Sequence, residues 1–319
     1  MINKDRESEF DILKGIGIIL VIIAHTMPVS SIFYRIIASF HMPLFFLVSG
    51  FFFSEKSNVI MFKSKFRRLI IPYLFTSSVC LFITIIISIQ NNNEVDLIQK
   101  WLISFMYGSG MPNNNFFSIG PLWFLLALFW AIIFLNIIIK SSTHIFPIVS
   151  ILLLFFIGTY TYRKGYINLL SIQQGMVSVI FLYIGYIIKL HKHKTIKKVN
   201  YSLIPMFIIW IITIKSAFLS IVQCYFSSEI LTISSAIFAT YFTYIISVKI
   251  KHIKIGLLLS SIGRTSLLLF CIHSIEYHFI EWNDLVSNTI LCIFIRISFD
   301  LVFLYITVQN KIVRRIFSI

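Results

Sequence analysis

Residues 10–25 read Phe10-Asp-Ile-Leu-Lys14-Gly-Ile-Gly-Ile-Ile-Leu-Val-Ile-Ile-Ala-His25, an apolar run interrupted by one acid and one base and closed by a histidine. As a helix, this run would be about 24 Å long. A helix that is apolar on nearly every side lies either in the core of a large protein or in a lipid bilayer. The rest of the chain decides between these two environments.

The overall composition favours the bilayer. Of the 319 residues, 58% are hydrophobic and only 12% are charged, whereas soluble domains carry about 25% charged residues. The mean hydropathy of +0.91 leaves too few polar side chains to cover a soluble globule. We therefore predict an all-α integral membrane protein that forms a single domain over residues 1–319.

Nine further apolar runs repeat the pattern of the first. Each is about long enough to cross the hydrocarbon core as a helix, and none alternates polar with apolar residues as the strands of a membrane barrel do. The predicted bundle of about ten transmembrane helices comprises 10–28, 36–54, 69–89, 120–140, 145–161, 176–190, 201–218, 230–248, 256–276 and 285–308.

The distribution of charge predicts the orientation. Lysine and arginine concentrate in the segments 55–68, 189–200 and 249–254 and in the C-terminal tail, which all fall on one side of the bundle. Cytoplasmic loops carry such an excess of basic residues, so both termini are expected in the cytoplasm. The same pattern explains the net charge of +15. The lipid bilayer is therefore the expected partner, and nucleic-acid binding is not expected. On the other side, the long polar stretch 90–119 is predicted to be a lid or binding loop.

The first helix carries its polar residues along one line. Asp11 and Lys14 are three residues apart and can pair on one face. Lys14 and His25 are eleven residues apart, about three turns or roughly 16 Å, with Ile18 and Ile22 between them. An interfacial position would explain each residue taken alone. Their position on one face of the helix favours a functional role, because ionisable residues inside a membrane span usually belong to a functional site.

The second apolar run adds a second imidazole. It contains Phe40-His41-Met-Pro-Leu-Phe-Phe-Leu-Val-Ser49-Gly50, and the short preceding loop predicts that it packs antiparallel to the first helix. His41 is thus expected at a depth similar to that of His25, and Ser49-Gly50 is expected to allow close helix packing. Two neutral imidazoles permit general base catalysis or metal binding. No acid stands near either histidine in the sequence, so no metal site is predicted.

These motifs resemble acyltransferase family 3, whose members are multi-pass membrane O-acyltransferases that often acetylate bacterial surface polysaccharides or lipid-linked sugars. The resemblance rests first on a basic residue, ten intervening positions and a histidine, followed by His41-Met-Pro and Ser49-Gly50. Three more stretches resemble family features, the last two more loosely: Lys65-x-x-Arg68 ahead of Ile71-Pro-Tyr, Leu122-Trp123-Phe-Leu, and Gly263-Arg264-Thr-Ser266 through His273.

The resemblance implies a role for each of these residues. His25 would be the essential histidine, with His41 as a second catalytic candidate. The residues expected to bind acyl-CoA are Lys14, Lys65 and Arg68, and those expected to support the site are Asp11, Ser49, Trp123, Arg264 and His273. Many family members carry arginine at the position of Lys14, and lysine binds phosphate as a point charge rather than as a fork.

The same resemblance implies the reactants and the location. Acyl-CoA, with acetyl-CoA as the default, is the expected donor without any resident cofactor, and a glycan or lipid-linked sugar is the expected acceptor. The expected location is the bacterial cytoplasmic (inner) membrane. His25 would act either as a general base or as a covalent acyl carrier, and the sequence leaves both open. A transporter or flippase for a sugar or small solute would use similar buried charges and is the alternative function; a membrane scaffold or sensor is a third.

Overall fold

The computed structural model describes residues 7–91, 94–112, 116–140, 145–166, 169–191 and 203–319. Most of these residues are helical. The helices are α1 Ser8–Ala24, α2 Ile32–Ala38, α3 His41–Phe51, α4 Asn58–Lys65, α5 Ile71–Asn91, α6 Glu94–Tyr107, α7 Trp123–Ile138, α8 Ile145–Arg163, α9 Ile172–Leu190, α10 Leu203–Ser216, α11 Glu229–Ile250, α12 Lys254–Arg264, α13 Ser266–Phe279, α14 Trp282–Leu285, α15 Thr289–Val308 and α16 Lys311–Phe317.

The short elements join these helices. A π-helical turn, Phe66–Ile70, connects α4 to α5, and 3₁₀ turns at Gly120–Leu122 and Leu169–Ser171 precede α7 and α9. A small antiparallel hairpin pairs Leu219–Ser220 with Tyr225–Phe226 between α10 and α11. The structure is thus an all-α membrane protein with one two-stranded hairpin in a connection.

Seven helical segments in the described part of the chain are long and apolar enough to cross a membrane, and the count is eight if the bent pair α12–α13 is one span. The seven are Ile32–Phe51, Asn58–Ile89, Gly120–Ile138, Ile145–Arg163, Leu169–Leu190, Glu229–Ile250 and Thr289–Val308. The predicted spans 10–28 and 201–218 form shorter helices, α1 and α10, of 17 and 14 residues.

Two sequence predictions need correction. The predicted span 256–276 is not one straight helix, because α12 and α13 meet at a bend of 73°. The predicted loop 90–119 contains helix α6, whose residue Phe105 accepts a hydrogen bond of 2.5 Å from the Tyr73 hydroxyl. Packing against α5 therefore keeps much of this polar stretch helical. Residues 92–93 and 113–115 of this stretch, residues 192–200 of the basic loop 189–200 and residues 201–202 of the predicted span 201–218 lie outside the described residues.

The bend follows from close backbone packing between α1 and α12. A Cβ atom added at Gly263 would lie 1.7 Å from the carbonyl oxygen of Asp11, and one added at Gly15 would lie 2.1 Å from that of Leu259. Glycine lets membrane helices approach this closely. After Gly263 the chain leaves α1 at Thr265, whose hydroxyl donates to the carbonyl of Ile262 at 3.2 Å. Glycine and hydroxyl residues are common causes of sharp helix bends.

A second pair of glycines fixes α3 against α9. A Cβ atom at Gly50 would lie 2.0 Å from the carbonyl oxygen of Leu182, and one at Gly185 would lie 2.1 Å from that of Leu47. The contact is reciprocal, so the two backbones touch along one line. The prediction that Ser49-Gly50 allows close packing is confirmed for Gly50.

One end of the bundle is basic and tightly connected, and we call it the basic end. Lys189 Nζ donates to the Phe53 carbonyl at 2.6 Å, and Lys140 Nζ donates to Asn58 Oδ1 at 2.5 Å. The Asn136 amide also donates to Asn58 Oδ1, at 2.9 Å. These contacts fix the chain that leads into α4. At the periphery, large apolar side chains such as Phe294, which is 70% exposed, face outward as lipid requires.

Candidate functional site

A cavity of about 750 Å³ opens among α1, α3, α4, the π-helical turn Phe66–Ile70, α7 and α13. Its volume falls in the range of about 300–1,000 Å³ that is typical of small-molecule sites. The polar side chains at its wall are Glu7, Asp11, Lys14, Ser49, Lys65, Arg68 and Ser266. The three residues expected to bind acyl-CoA, Lys14 from α1 and the Lys65/Arg68 pair from the segment around the end of α4, therefore face one space.

The π-helical turn contributes to this arrangement. Lys65 ends α4, Arg68 lies inside the turn Phe66–Ile70, and both line the cavity. A π turn changes the angular spacing of side chains along a helix and is common at functional sites. The Lys65-x-x-Arg68 motif thus directs two cations into the cavity from one helical segment.

Lys14 and Asp11 form the predicted ion pair. Lys14 Nζ lies 2.8 Å from Asp11 Oδ1, and the lysine side chain remains 26% exposed while the carboxylate is 5% exposed. The spacing of three residues produces this contact on one helix face. The pairing predicted from the sequence is confirmed, and it leaves the ammonium group at the cavity wall.

Three phenylalanine rings form an aromatic part of the cavity wall, which we call the aromatic end wall. Phe45, Phe124 and Phe270 all line it, with ring centroids 5.7 Å apart for Phe45–Phe124 and 5.6 Å apart for Phe124–Phe270. Phe45 follows His41 by one helical turn, and Phe270 precedes His273 by three residues. The aromatic end wall therefore lies about one turn from two of the predicted site histidines.

His25 follows directly after α1, with its amide donating to the Val21 carbonyl at 3.1 Å. Its ring centroid lies 5.3 Å from that of His273 and 4.9 Å from that of Tyr277. The line predicted from Lys14 to His25 is only partly open, because Ile18 lines the cavity whereas Ile22 is fully buried and does not. Along this line, the described cavity therefore extends as far as Ile18.

Behind His25 lies a group of buried ionisable side chains, His273, Glu276, Arg296 and Asp300. His273 Nδ1 lies 2.6 Å from Glu276 Oε1 and 3.3 Å from Asp300 Oδ2. Arg296 Nε donates to the same Glu276 oxygen at 2.8 Å. The Trp282 indole N–H donates to the other Glu276 oxygen. We call these four ionisable residues the buried charge cluster.

The buried charge cluster is attached to the end of α1. Arg296 Nη1 donates to the His25 carbonyl at 3.0 Å and lies 3.2 Å from Thr26 Oγ1. The Thr26 hydroxyl itself donates to the Ile22 carbonyl at 2.9 Å. The backbone around His25 is thereby held from both sides.

Three residues of this cluster have the donor types of a metal site. Ligand atoms of His273, Glu276 and Asp300 lie within 4.8 Å of one another in the described part of the chain. His273 Nδ1 lies at ion-pair distance, 2.6 Å, from Glu276 Oε1, and Arg296 already supplies a positive charge to Glu276. His273 and Asp300 meet this pair as ion-pair contacts only, because both ring nitrogens of His273 and both carboxylate oxygens of Asp300 lack a hydrogen bond of good geometry within the described residues.

The remaining predicted site residues lie in different places. His41 begins α3, and its Nδ1 lies 2.9 Å from the Ile37 carbonyl; Ser49 lines the cavity. Trp123 is buried at the start of α7, where its ring fills the space beside Gly110. Arg264 is exposed at the bend after α12 and is not among the residues that line the cavity.

The residues predicted from the sequence include neither Arg296 nor Asp300, and Glu276 is a candidate there only as a polar residue near the outer end of its helix. A signal was present for two of them, since Arg296 and Asp300 are four residues apart within the predicted apolar span 285–308. Ionisable side chains within a span are rare and commonly functional, and a spacing of four puts both on one helix face.

Comparison with known proteins gives one match. A family model described as an acyltransferase domain, that of acyltransferase family 3, matches residues 7–306, nearly the whole chain. No curated protein and no solved structure matches the chain.

Proposed function

We propose that this chain, which belongs to acyltransferase family 3, is a membrane O-acyltransferase that moves an acyl group, acetyl by default, from acyl-CoA to a sugar hydroxyl. The family establishes a membrane acyltransferase. The donor, the acetyl group and the acceptor, which is a surface polysaccharide or a lipid-linked sugar, belong to the proposal. The observation that carries it is the cavity in which Lys14, Lys65 and Arg68 meet.

The cavity suits an anionic donor that carries a reactive group on a long arm. Phosphate groups are attracted to clustered lysine and arginine side chains, and Arg68 offers a planar fork of donors for them. The wall changes from cationic at Lys65 and Arg68 to aromatic at Phe124 and Phe270. A phosphorylated head at the basic end and an apolar acyl arm toward the aromatic wall would match this change.

The proposed topology places the donor in the cytoplasm. We propose ten membrane crossings, counting α1, α10 and the bent pair α12–α13, with both termini cytoplasmic in the bacterial inner membrane. The support is the basic end itself, because Lys14, Lys65, Lys140 and Lys189 gather there. Cytoplasmic ends of membrane proteins carry this excess of positive charge.

His25 is the proposed base. A neutral imidazole nitrogen accepts the proton of the sugar hydroxyl, and the oxygen attacks the thioester carbonyl carbon. The carbon–sulfur bond then breaks, and the thiolate of CoA takes the proton from the imidazolium to leave as free thiol. In the alternative path the imidazole nitrogen attacks the thioester carbonyl carbon, and the carbon–sulfur bond breaks to release the CoA thiolate. The sugar hydroxyl then attacks the acyl-imidazole, the carbon–nitrogen bond breaks, and the hydroxyl proton passes to the thiolate. Both paths need the thioester to reach His25, which is not among the residues that line the cavity.

The test uses sealed inside-out and right-side-out vesicles with labelled acetyl-CoA and a polysaccharide acceptor fraction. The wild type, His25→Ala and the matched control His252→Ala are compared at equal expression; His252 is an exposed histidine outside the site. We expect label in glycan for the wild type and the control, and at least a hundredfold less for His25→Ala. Transfer of label that occurs only when acetyl-CoA is supplied at the cytoplasmic face would support the topology.

Two results would contradict the proposal. Equal labelling by His25→Ala and the wild type would remove His25 from the reaction. Movement of an unmodified sugar across the vesicle membrane, without any acyl transfer from several donors, would favour the transporter.

A further inference from the structure

The buried charge cluster is an unusual structure for the interior of a membrane protein. His273 and Asp300 are 0% exposed, and Glu276 and Arg296 are 3% exposed. When His273 is neutral, the two carboxylates and the guanidinium give the cluster a net charge of −1. When His273 is protonated, the net charge of the cluster is zero. Buried ion pairs add little net stability compared with apolar side chains of similar size. Stability alone is therefore a weak reason for this cluster.

The position of the cluster offers a better reason. Its contacts to α1 run through Arg296, whose Nη1 reaches the His25 carbonyl and the Thr26 hydroxyl. The last carbonyls of a helix have no partner within the helix, so an external donor at His25 fixes the end of α1. On the other side of the guanidinium, Glu276 accepts from Nε at 2.8 Å.

The remaining members hold that carboxylate. Glu276 also meets His273 Nδ1 and the Trp282 indole N–H, and Asp300 lies 3.3 Å from the same His273 nitrogen. Since α13 supplies His273 and Glu276 while α15 supplies Arg296 and Asp300, the network joins α1, α13 and α15 at the level of His25.

We infer that Arg296 is a positioning residue for His25, and that Glu276, His273 and Asp300 hold its guanidinium in place. Its catalytic consequence rests on the proposed function, whereas the positioning itself does not. The guanidinium fixes the backbone of His25, and the His25 ring then packs against both His273 and Tyr277. Because a misplacement of about 1 Å at a reacting group can lower a rate about a hundredfold, loss of this contact slows the chemical step.

A double variant separates positioning from folding. Arg296→Met alone leaves Glu276 buried without its cation and is expected to unfold more easily. Arg296→Met combined with Glu276→Gln removes both charges, and the glutamine carbonyl still accepts from Trp282. The matched control is Arg35→Met, because Arg35 also donates to a backbone carbonyl, that of Lys215 at 3.2 Å, away from His25.

The first readout is acyl transfer by the double variant, after its thermal unfolding has been shown to match the wild type. We expect a fall in kcat of about 10–100-fold, with the KM for acyl-CoA within about twofold of wild type, and no change in Arg35→Met. A wild-type kcat in a stably folded double variant would overturn the inference.

The second readout is independent of catalysis. Hydrogen exchange of a peptide covering residues 21–30, measured by mass spectrometry, is expected to be about tenfold faster in the double variant than in the wild type or Arg35→Met. Unchanged exchange in that peptide would also overturn the inference. If the wild type transfers no acyl group, the proposed function fails, and the exchange measurement alone decides whether Arg296 positions His25.

Discussion

Lys65 and Lys14 face the same cavity although 51 residues separate them in the chain. The two ammonium groups differ in how readily they can bind an anionic ligand, because Lys14 is already paired with Asp11 at 2.8 Å. Among the described residues, the structure shows no ion pair for Lys65 or Arg68. These two cations are thus better placed to meet a new anion, and Lys14 stands beside them with its charge partly compensated.

The first prediction concerns donor binding. We expect Lys65→Ala and Arg68→Ala each to raise the KM for acyl-CoA about tenfold, which corresponds to about 1.4 kcal/mol of binding, with kcat near the wild-type value. Steady-state kinetics at low and high salt checks this, since salt weakens phosphate attraction. Lys249→Ala is the control, because this exposed lysine does not line the cavity. The same rise in the control would point to a general charge effect.

The second prediction concerns the length of the acyl group. Phe270 forms part of the aromatic end wall of the cavity, 5.6 Å from Phe124. We expect Phe270→Ala to enlarge that end and to raise the rate with butyryl-CoA relative to acetyl-CoA about tenfold, because a methylene fitted into an apolar pocket is worth about 1–3 kcal/mol. Competition between the two labelled donors measures the ratio.

A lipid-facing phenylalanine provides the control for this change. Phe294 is 70% exposed and lies outside the cavity, so Phe294→Ala should leave the donor ratio as in the wild type. An unchanged ratio in Phe270→Ala would show that the aromatic wall does not limit the acyl chain.

The third prediction concerns the close approach of α1 and α12. The Cβ of Gly263→Ala would lie 1.7 Å from the Asp11 carbonyl, and backbone atoms on both sides leave little room to adjust. We expect destabilisation by about 1–3 kcal/mol, seen as a lower unfolding temperature in detergent. Ser261→Ala, an exposed position of the same helix, should unfold like the wild type. Wild-type stability of Gly263→Ala would mean that the two helices do not pack this closely.

The fourth prediction concerns the chain that leads into α4. Asn136 accepts from the Lys56 amide and donates to its carbonyl, both at 3.1 Å. Asn136→Ala removes both hydrogen bonds, so we expect faster trypsin cleavage after Lys56 in membrane vesicles. Cleavage after the exposed Lys249 serves as the internal reference. Equal acceleration at both sites would indicate general unfolding, and no acceleration at Lys56 would contradict the anchoring role.

The sequence by itself determined much of the fold and part of the site. Apolar runs decide where helices form, because lipid cannot satisfy exposed backbone hydrogen-bonding groups. The ion pair of Asp11 and Lys14 could be predicted from their spacing of three residues, because residues three apart lie next to each other on one face of a helix. The Lys65-x-x-Arg68 motif likewise marked cations that the structure places in the cavity.

Only the tertiary structure decided which distant residues meet. Arg296 contacts His25 across 271 positions, and nothing in the periodicity of either helix specifies that partner. The bend of 73° after Arg264 likewise depends on Gly263 meeting the backbone of another helix. Partner choice and bending follow from how the helices pack together, which depends on contacts remote in the sequence, whereas helix formation and pairs within one helix depend on residues a few positions apart.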